Sequence, residues 1–154
     1  MYERILVPHA GTSAGNKALQ HAKKLAKLHN SKITILHVVE KIPTPPMMSF
    51  SYERKEWSKS LRDARNELKI EMREKIQKHA ETLGLSKITT NVIVLEGYPE
   101  EHISRIANKN NFDLVVMAKR KKLPGIKAIL KLGSVSRKVL EQVSCPVLLI
   151  DGKK

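Results

Sequence analysis

The sequence predicts a three-layer α/β domain. Short runs of aliphatic and β-branched residues alternate along the chain with longer stretches whose apolar residues fall at helical spacing, and proline, glycine or asparagine marks most of the junctions. Strand–helix–strand alternation of this kind builds a parallel sheet, because parallel neighbours need a crossover of a dozen or more residues. With 154 residues the chain is long enough for one domain with a sizeable core, and residues 1–154 show no linker or internal repeat.

Ile5, Leu6 and Val7 form a short buried strand that ends at Pro8 and Gly11. From Ser13 onward, Ala14, Ala18, Ala22, Leu25 and Leu28 recur at helical steps, and Asn30 and Ser31 stop that helix. Residues 32–39 are rich in β-branched side chains and read as the second strand. Residues 41–50 hold Pro43, Pro45 and Pro46 and form a loop. A long amphipathic helix follows over residues 53–83. Its stripe of Trp57, Leu61, Ala64, Leu68, Met72, Ile76, Ala80 and Leu83 predicts a face laid on the sheet. Gly84 ends it and residues 89–95 make the third strand. Pro99 sits early in the next helix with Glu100 and Glu101 in its first turn, where the helix dipole favours acids. That helix turns Ile103, Ile106 and Ala107 inward and stops at Asn110 and Asn111. Residues 113–118 are the fourth strand. Val135, Val139, Leu140 and Val143 mark a helix starting near Ser134, and residues 146–150 are the fifth strand.

Composition narrows the function classes. There are 29 Lys and Arg against 15 Asp and Glu, a net charge of +14, which suits anionic partners such as nucleotides, nucleic acid or acidic surfaces, or a plain solvated basic surface. Aromatic residues make up only 4% and do not interleave with the basic ones. Nucleic-acid contact would therefore rest on phosphates and fall steeply with salt. The single cysteine, Cys145, excludes an internal disulfide and a multi-cysteine metal site, and its apolar surroundings predict a packed residue rather than a nucleophile. The six histidines form no metal-binding spacing. His9 and His37 lie near the ends of neighbouring strands, without a third ligand to complete a site. No signal segment and no membrane-length apolar run is seen, so a cytoplasmic protein without a membrane span is expected. Gly11 to Ala18 superficially follows a P-loop, but the spacing is one residue short and Ala18 stands where a Ser or Thr would hold magnesium.

Several pieces together carry a family resemblance: Arg4-Ile-Leu-Val-Pro8, Leu36-His-Val-Val39, Glu96-Gly-Tyr-Pro-Glu-Glu-His-Ile103, Asp113-Leu-Val-Val-Met117, Gly133-Ser-Val-Ser136 and Cys145-Pro-Val-Leu-Leu-Ile150. In order and spacing, over essentially the whole chain, they resemble the universal stress protein family. The resemblance implies a doubly wound five-stranded parallel sheet with helices on both faces, of the Rossmann-like, adenine nucleotide alpha hydrolase-like class. It also implies a ligand site where the first and fourth strands diverge, where general topology places one too. Many members bind ATP and others do not. Members commonly form homodimers through the last strand, here Val147, Leu148, Leu149 and Ile150, and their role is survival under stress rather than a reaction.

ATP-binding members share a loop of Gly, two residues, Gly, nine residues, then Gly with Ser or Thr. Gly133 and Ser134 match the final pair. Counting back, the earlier glycines fall on Leu123 and Arg120. Counting forward from Met117, they fall on Ala118 and Lys121. Glycine is absent in both registers, although glycines there let backbone N–H groups approach a phosphate. Members that bind ATP usually also carry an Asp two residues after the first strand's proline, where this chain has Ala10.

The resemblance therefore implies a stress-response binding or regulatory module with an altered nucleotide site, no required cofactor and no catalytic residues. One alternative is a basic protein that associates with nucleic acid through phosphate contacts, and the other is a member that holds ATP or a related nucleotide with Lys119, Arg120, Lys121 and Lys122 in place of the glycines. Pro8, His9 and Ala10 would then meet the ligand at the first strand, Val38 and Met117 would line the base pocket, and Ala118 would follow at the fourth strand. Gly133, Ser134, Val135 and Ser136 would sit at the phosphates, at a helix N-terminus. Ser134 also fits a helix N-cap with no ligand present.

Overall fold

The computed structural model describes residues 1–41, 51–119 and 133–151. Residues 42–50, within the proline-rich loop, and Arg120, Lys121 and Lys122 of the lysine run lie outside the described residues. The strands are β1 (Arg4–Pro8), β2 (Lys32–Glu40), β3 (Thr90–Gly97), β4 (Leu114–Lys119) and β5 (Val147–Asp151). The helices are α1 (Ser13–His29), α2 (Ser51–Thr82), α3 (Pro99–Lys109) and α4 (Ser134–Gln142), with a 3-10 turn at Leu85–Lys87.

The five strands form one parallel sheet in the order β3-β2-β1-β4-β5. The chain runs outward from β1 through β2 to β3, returns to place β4 on the other side of β1, and ends at β5. Strand order therefore reverses between β1 and β4. The expected doubly wound sheet is what the chain forms.

Each strand feeds two cores, which is why the strands read as unbroken apolar runs rather than alternating ones. Ile5 and Val7, Ile33 and Ile35, and Leu114 and Val116 meet α1 and α2 on one face, packing with Leu19, Ala22 and Ile76. Leu6, Leu36, Val115 and Met117 point to the other face and meet Ile103 and Ala107 of α3 and Val139 of α4. The half-buried Cys145 packs against this second cluster, and burial pushes its thiol up, in keeping with a packing role.

Local signals set the element ends. Thr12 caps α1 by accepting from the Gly15 N–H at 3.2 Å, and Asn30 closes it in the left-handed region at φ 54°. Asp113 lies just outside β4. Its Oδ2 accepts the backbone N–H groups of Glu3 at 2.9 Å and Arg4 at 2.8 Å, which fixes where β1 starts beside β4. Asn108 of α3 binds the chain after α4, accepting from the Ser144 N–H at 3.0 Å and donating to the Gln142 carbonyl at 2.9 Å.

The predicted core stripe of α2 holds only for its second half. Ile76 and Ala80 are buried and Met72 and Leu83 pack on the core, whereas Ala64 and Leu68 are exposed and Trp57 and Leu61 only half-buried. The cause is length. A helix of 32 residues spans about 48 Å, while the 9 residues of β2 span about 30 Å. The helix outruns the sheet and its first half has no strand beneath it. Arg65 holds it near the end of β3, 3.1 Å from Glu96, and Arg73 Nη1 donates to the Val92 carbonyl at 3.1 Å. Among the described residues no helix is long and apolar enough to cross a membrane.

Candidate functional site: the cleft between β1 and β4

Where strand order reverses, the segments leaving β1 and β4 part and a cleft opens at the carboxyl ends of the strands. Its volume is about 810 Å³ as bounded by described residues. Of the residues expected at a nucleotide, Pro8, His9, Ala10, Val38, Met117, Ala118, Lys119, Gly133, Ser134, Val135 and Ser136 all line it. Arg120 and Lys121 lie outside the described residues.

The β1 wall is built around a locked imidazole. The Gly11 N–H donates to His9 Nδ1 at 3.0 Å, so Nδ1 carries no proton. The remaining ring proton is then on Nε2, which donates to Asn16 Oδ1 at 2.9 Å. His37 stands beside it on β2 and gives its Nδ1 proton to the His9 carbonyl at 2.7 Å. The ring sits against α1 because Gly15 has no side chain, and a Cβ there would lie 3.0 Å from it. Burial holds the His9 pKa below its usual value. The Asn16 hydrogen bond opposes this, and His79, His37 and Lys75 add to it. His9 is thus a neutral wall of the cleft with both ring nitrogens engaged. Among the described residues no group of three metal-ligating side chains forms.

The opposite wall is the start of α4. Its N-cap is Gly133, in extended conformation at φ −64° and ψ 154°, and among the described residues no side chain caps the helix. Ser134 is therefore the first helical residue, exposed, and does not take the N-cap role its type suits. The Arg137 N–H is bonded to the Gly133 carbonyl at 3.1 Å, so the N–H groups of Ser134, Val135 and Ser136 precede the helical ladder. They form the positive end of the helix dipole at the cleft. Lys138 of α4 meets Glu100 of α3 at 2.6 Å, and this ammonium, with Glu100's own backbone N–H, holds the Glu100 carboxyl below the usual range. The pair holds α4 against α3. Lys119, half-buried at the end of β4, brings a cation to the same side.

Ala10 is exposed at the mouth. Thr12, Ser13, Leu36, Glu40, Leu68, Met72, Pro99 and Ile103 also line the cleft and were not singled out from sequence for a site. Leu68 and Met72 come from α2, which closes on the turn after β1: Gly11 holds φ +72°, and a Cβ there would lie 2.9 Å from Met72 Cε. Nothing in the pattern of α2 shows which part of a helix longer than the sheet faces a strand end. Glu40 carried a signal, its place at the carboxyl end of the second strand, but which face it takes depends on register.

The universal stress protein family model matches residues 1–151. A universal stress protein of Methanocaldococcus jannaschii is 32% identical over 154 residues, covering 100% of this chain and 85% of that protein. A second from the same organism is 30% identical over 162 residues, covering 99% of this chain and 97% of that protein. Its solved structure superposes with a TM-score of 0.79 at 25% identity, covering 100% of this chain and 99% of that one. The solved Arabidopsis thaliana member with AMP bound shares the fold at a TM-score of 0.61 and 18% identity, covering 97% of this chain and 91% of that one. The match extends from before the first strand through the last, and the chain belongs to the universal stress protein family.

Proposed function

We propose that this protein is a stress-response binding or regulatory module, cytoplasmic and without turnover, whose altered cleft takes a nucleotide-class phosphate. One observation carries the reading. The first turn of α4, whose N-cap Gly133 has no side chain to cap it, and Lys119 at the end of β4 both line a cleft of about 810 Å³, within the roughly 300–1,000 Å³ of small-molecule sites. Helix N-termini bind phosphate through free N–H groups and the dipole, and a lysine adds charge without special backbone geometry. The base would lie between Val38 and Met117, and the phosphate at Gly133, Ser134 and Ser136. The AMP held by the Arabidopsis relative supports the ligand class. Absence of turnover fits the commitment of both His9 ring nitrogens to protein partners, which leaves that imidazole no site for accepting a proton.

A second reading, in which the site has lost nucleotides altogether, is favoured by the methyl group of Ala10 at the mouth. Titration at low salt with ATP, ADP, AMP and cyclic AMP separates the two. The proposed function expects saturable binding of at least one of them, weakened about tenfold or more in Gly133→Leu by blocked approach to the helix end, in line with the cost of a lost charged hydrogen bond. No binding of any would favour the second reading. Steady ATP hydrolysis that Gly133→Leu abolishes would contradict the absence of turnover.

The same reading makes the protein a homodimer through Val147, Leu148, Leu149 and Ile150. β5 is an edge strand, with Leu148 37% exposed, and a two-fold partner would cover it.

A further inference from the structure

The cleft is polarised. Among its described lining residues only one acid, Glu40, and one lysine, Lys119, carry formal charge, in a chain whose net charge is +14. They end different strands. Glu40 closes β2 and Lys119 closes β4, on either side of β1, so both stand at the carboxyl end of the sheet and line the cleft from different strands.

Register decides which way Glu40 points. β2 stays paired with β3 through Val38↔Leu95, Val39↔Glu96 and Glu40↔Gly97, so the pleat persists to its last residue. Leu36 and Val38 belong to the core under α3 and α4, and Val39 to the core under α1 and α2. Side chains alternate along a strand, which puts Glu40 on the face of Leu36 and Val38, the face on which α4 begins. Its carboxylate has neither a hydrogen-bond nor an ion-pair partner among the described residues, although lysines and arginines abound on this protein. Ala10, in contrast, presents a methyl group with nothing to offer a polar ligand.

We infer that Glu40 is the hydroxyl-binding carboxylate of this cleft and makes it select a ribonucleotide, its two oxygens accepting the 2′- and 3′-hydroxyls of a nucleoside 5′-monophosphate whose phosphate lies at α4. This rests on the nucleotide reading above and deepens it. A carboxylate accepts two hydroxyl protons at once, and charge-assisted hydrogen bonds of this kind are the stronger class. In dinucleotide-binding sheets an acid about 20 residues beyond the first turn takes a ribose hydroxyl in the same way. The ligand's own negative charge does not defeat the contact. The carboxylate meets the hydroxyl protons at contact, while the phosphate lies at the other end of the ligand, where the N–H groups and dipole of the α4 N-terminus offset its charge.

The test is calorimetric titration of AMP and of 2′,3′-dideoxy-AMP into the full chain, comparing wild type with Glu40→Ala and Glu40→Gln at one ionic strength. Glu40 is exposed, so neither variant endangers folding. Wild type is expected to prefer AMP by about tenfold or more, the scale of a charged hydrogen bond. Glu40→Ala is expected to bring the ratio close to one while leaving dideoxy-AMP affinity unchanged or slightly raised. Glu40→Gln, which keeps one acceptor oxygen, falls between. A preference that survives in Glu40→Ala, or equal affinity for the two ligands in wild type, overturns the role of Glu40 alone. Failure of wild type to bind either ligand overturns this inference together with the nucleotide reading.

Discussion

Gly97→Val is expected to lower the free energy of unfolding by about 3 kcal/mol, read as a shift in urea midpoint at unchanged slope. Gly97 ends β3 at φ +143°, a backbone region that residues with side chains rarely adopt. A Cβ there would also stand 2.5 Å from Nε2 of His102. That ring cannot swing aside freely, because Nε2 donates to the Glu96 carbonyl at 2.9 Å and Arg105 donates to Nδ1 at 2.7 Å. The substitution thus adds backbone strain of about 1–3 kcal/mol and loses a hydrogen bond worth about 1 kcal/mol. Gly97→Ala should cost slightly less, since Ala shares the strain and the close Cβ but not the branched bulk. Wild-type stability in Gly97→Val would show that the turn before α3 adapts without cost.

His9→Ala is expected to cost about 3 kcal/mol at pH 8, from a vacated ring volume and from the lost partners of Gly11 N–H and Asn16 Oδ1. The cost should depend on pH. Burial, the largest cause, lowers the His9 pKa from its usual 6.5 in the folded state. The unfolded chain therefore takes up the proton first as pH falls, and stability that is fully present above the unfolded value is lost as pH drops through the folded one. His79, His37 and Lys75 face the ring and resist its protonation further. The stability gap between wild type and His9→Ala should narrow from pH 8 to pH 5 in parallel urea titrations. A gap that stays constant or widens would mean that the ring is not held neutral.

Much of this fold was legible because the central strands β1 and β4 are buried on both faces, so that Ile5-Leu6-Val7 and Leu114 to Met117 stand out as apolar runs whatever their partners. The reach of α2 was not legible. Its stripe from Trp57 to Leu83 has helical spacing throughout, and only the length of the strands beneath it determines that Ala64 and Leu68 emerge. The cleft itself followed from strand order, and the residues at the ends of β1 and β4 and the start of α4 came with it. The His9 lock did not, because it joins a strand end, the Gly11 turn and Asn16 of α1, whose contacts depend on packing. Ser134 has the composition of an N-cap, yet the extended backbone at Gly133 takes that position and leaves the serine one residue inside the helix.

Native mass spectrometry of freshly purified protein, followed by denaturation and identification of anything released, weighs the nucleotide reading most directly. The expected spectrum is a dimer with one small adduct per chain, released as a phosphate-bearing nucleotide. A bare monomer that releases nothing, together with a flat low-salt titration, would contradict both the filled cleft and the pairing through β5.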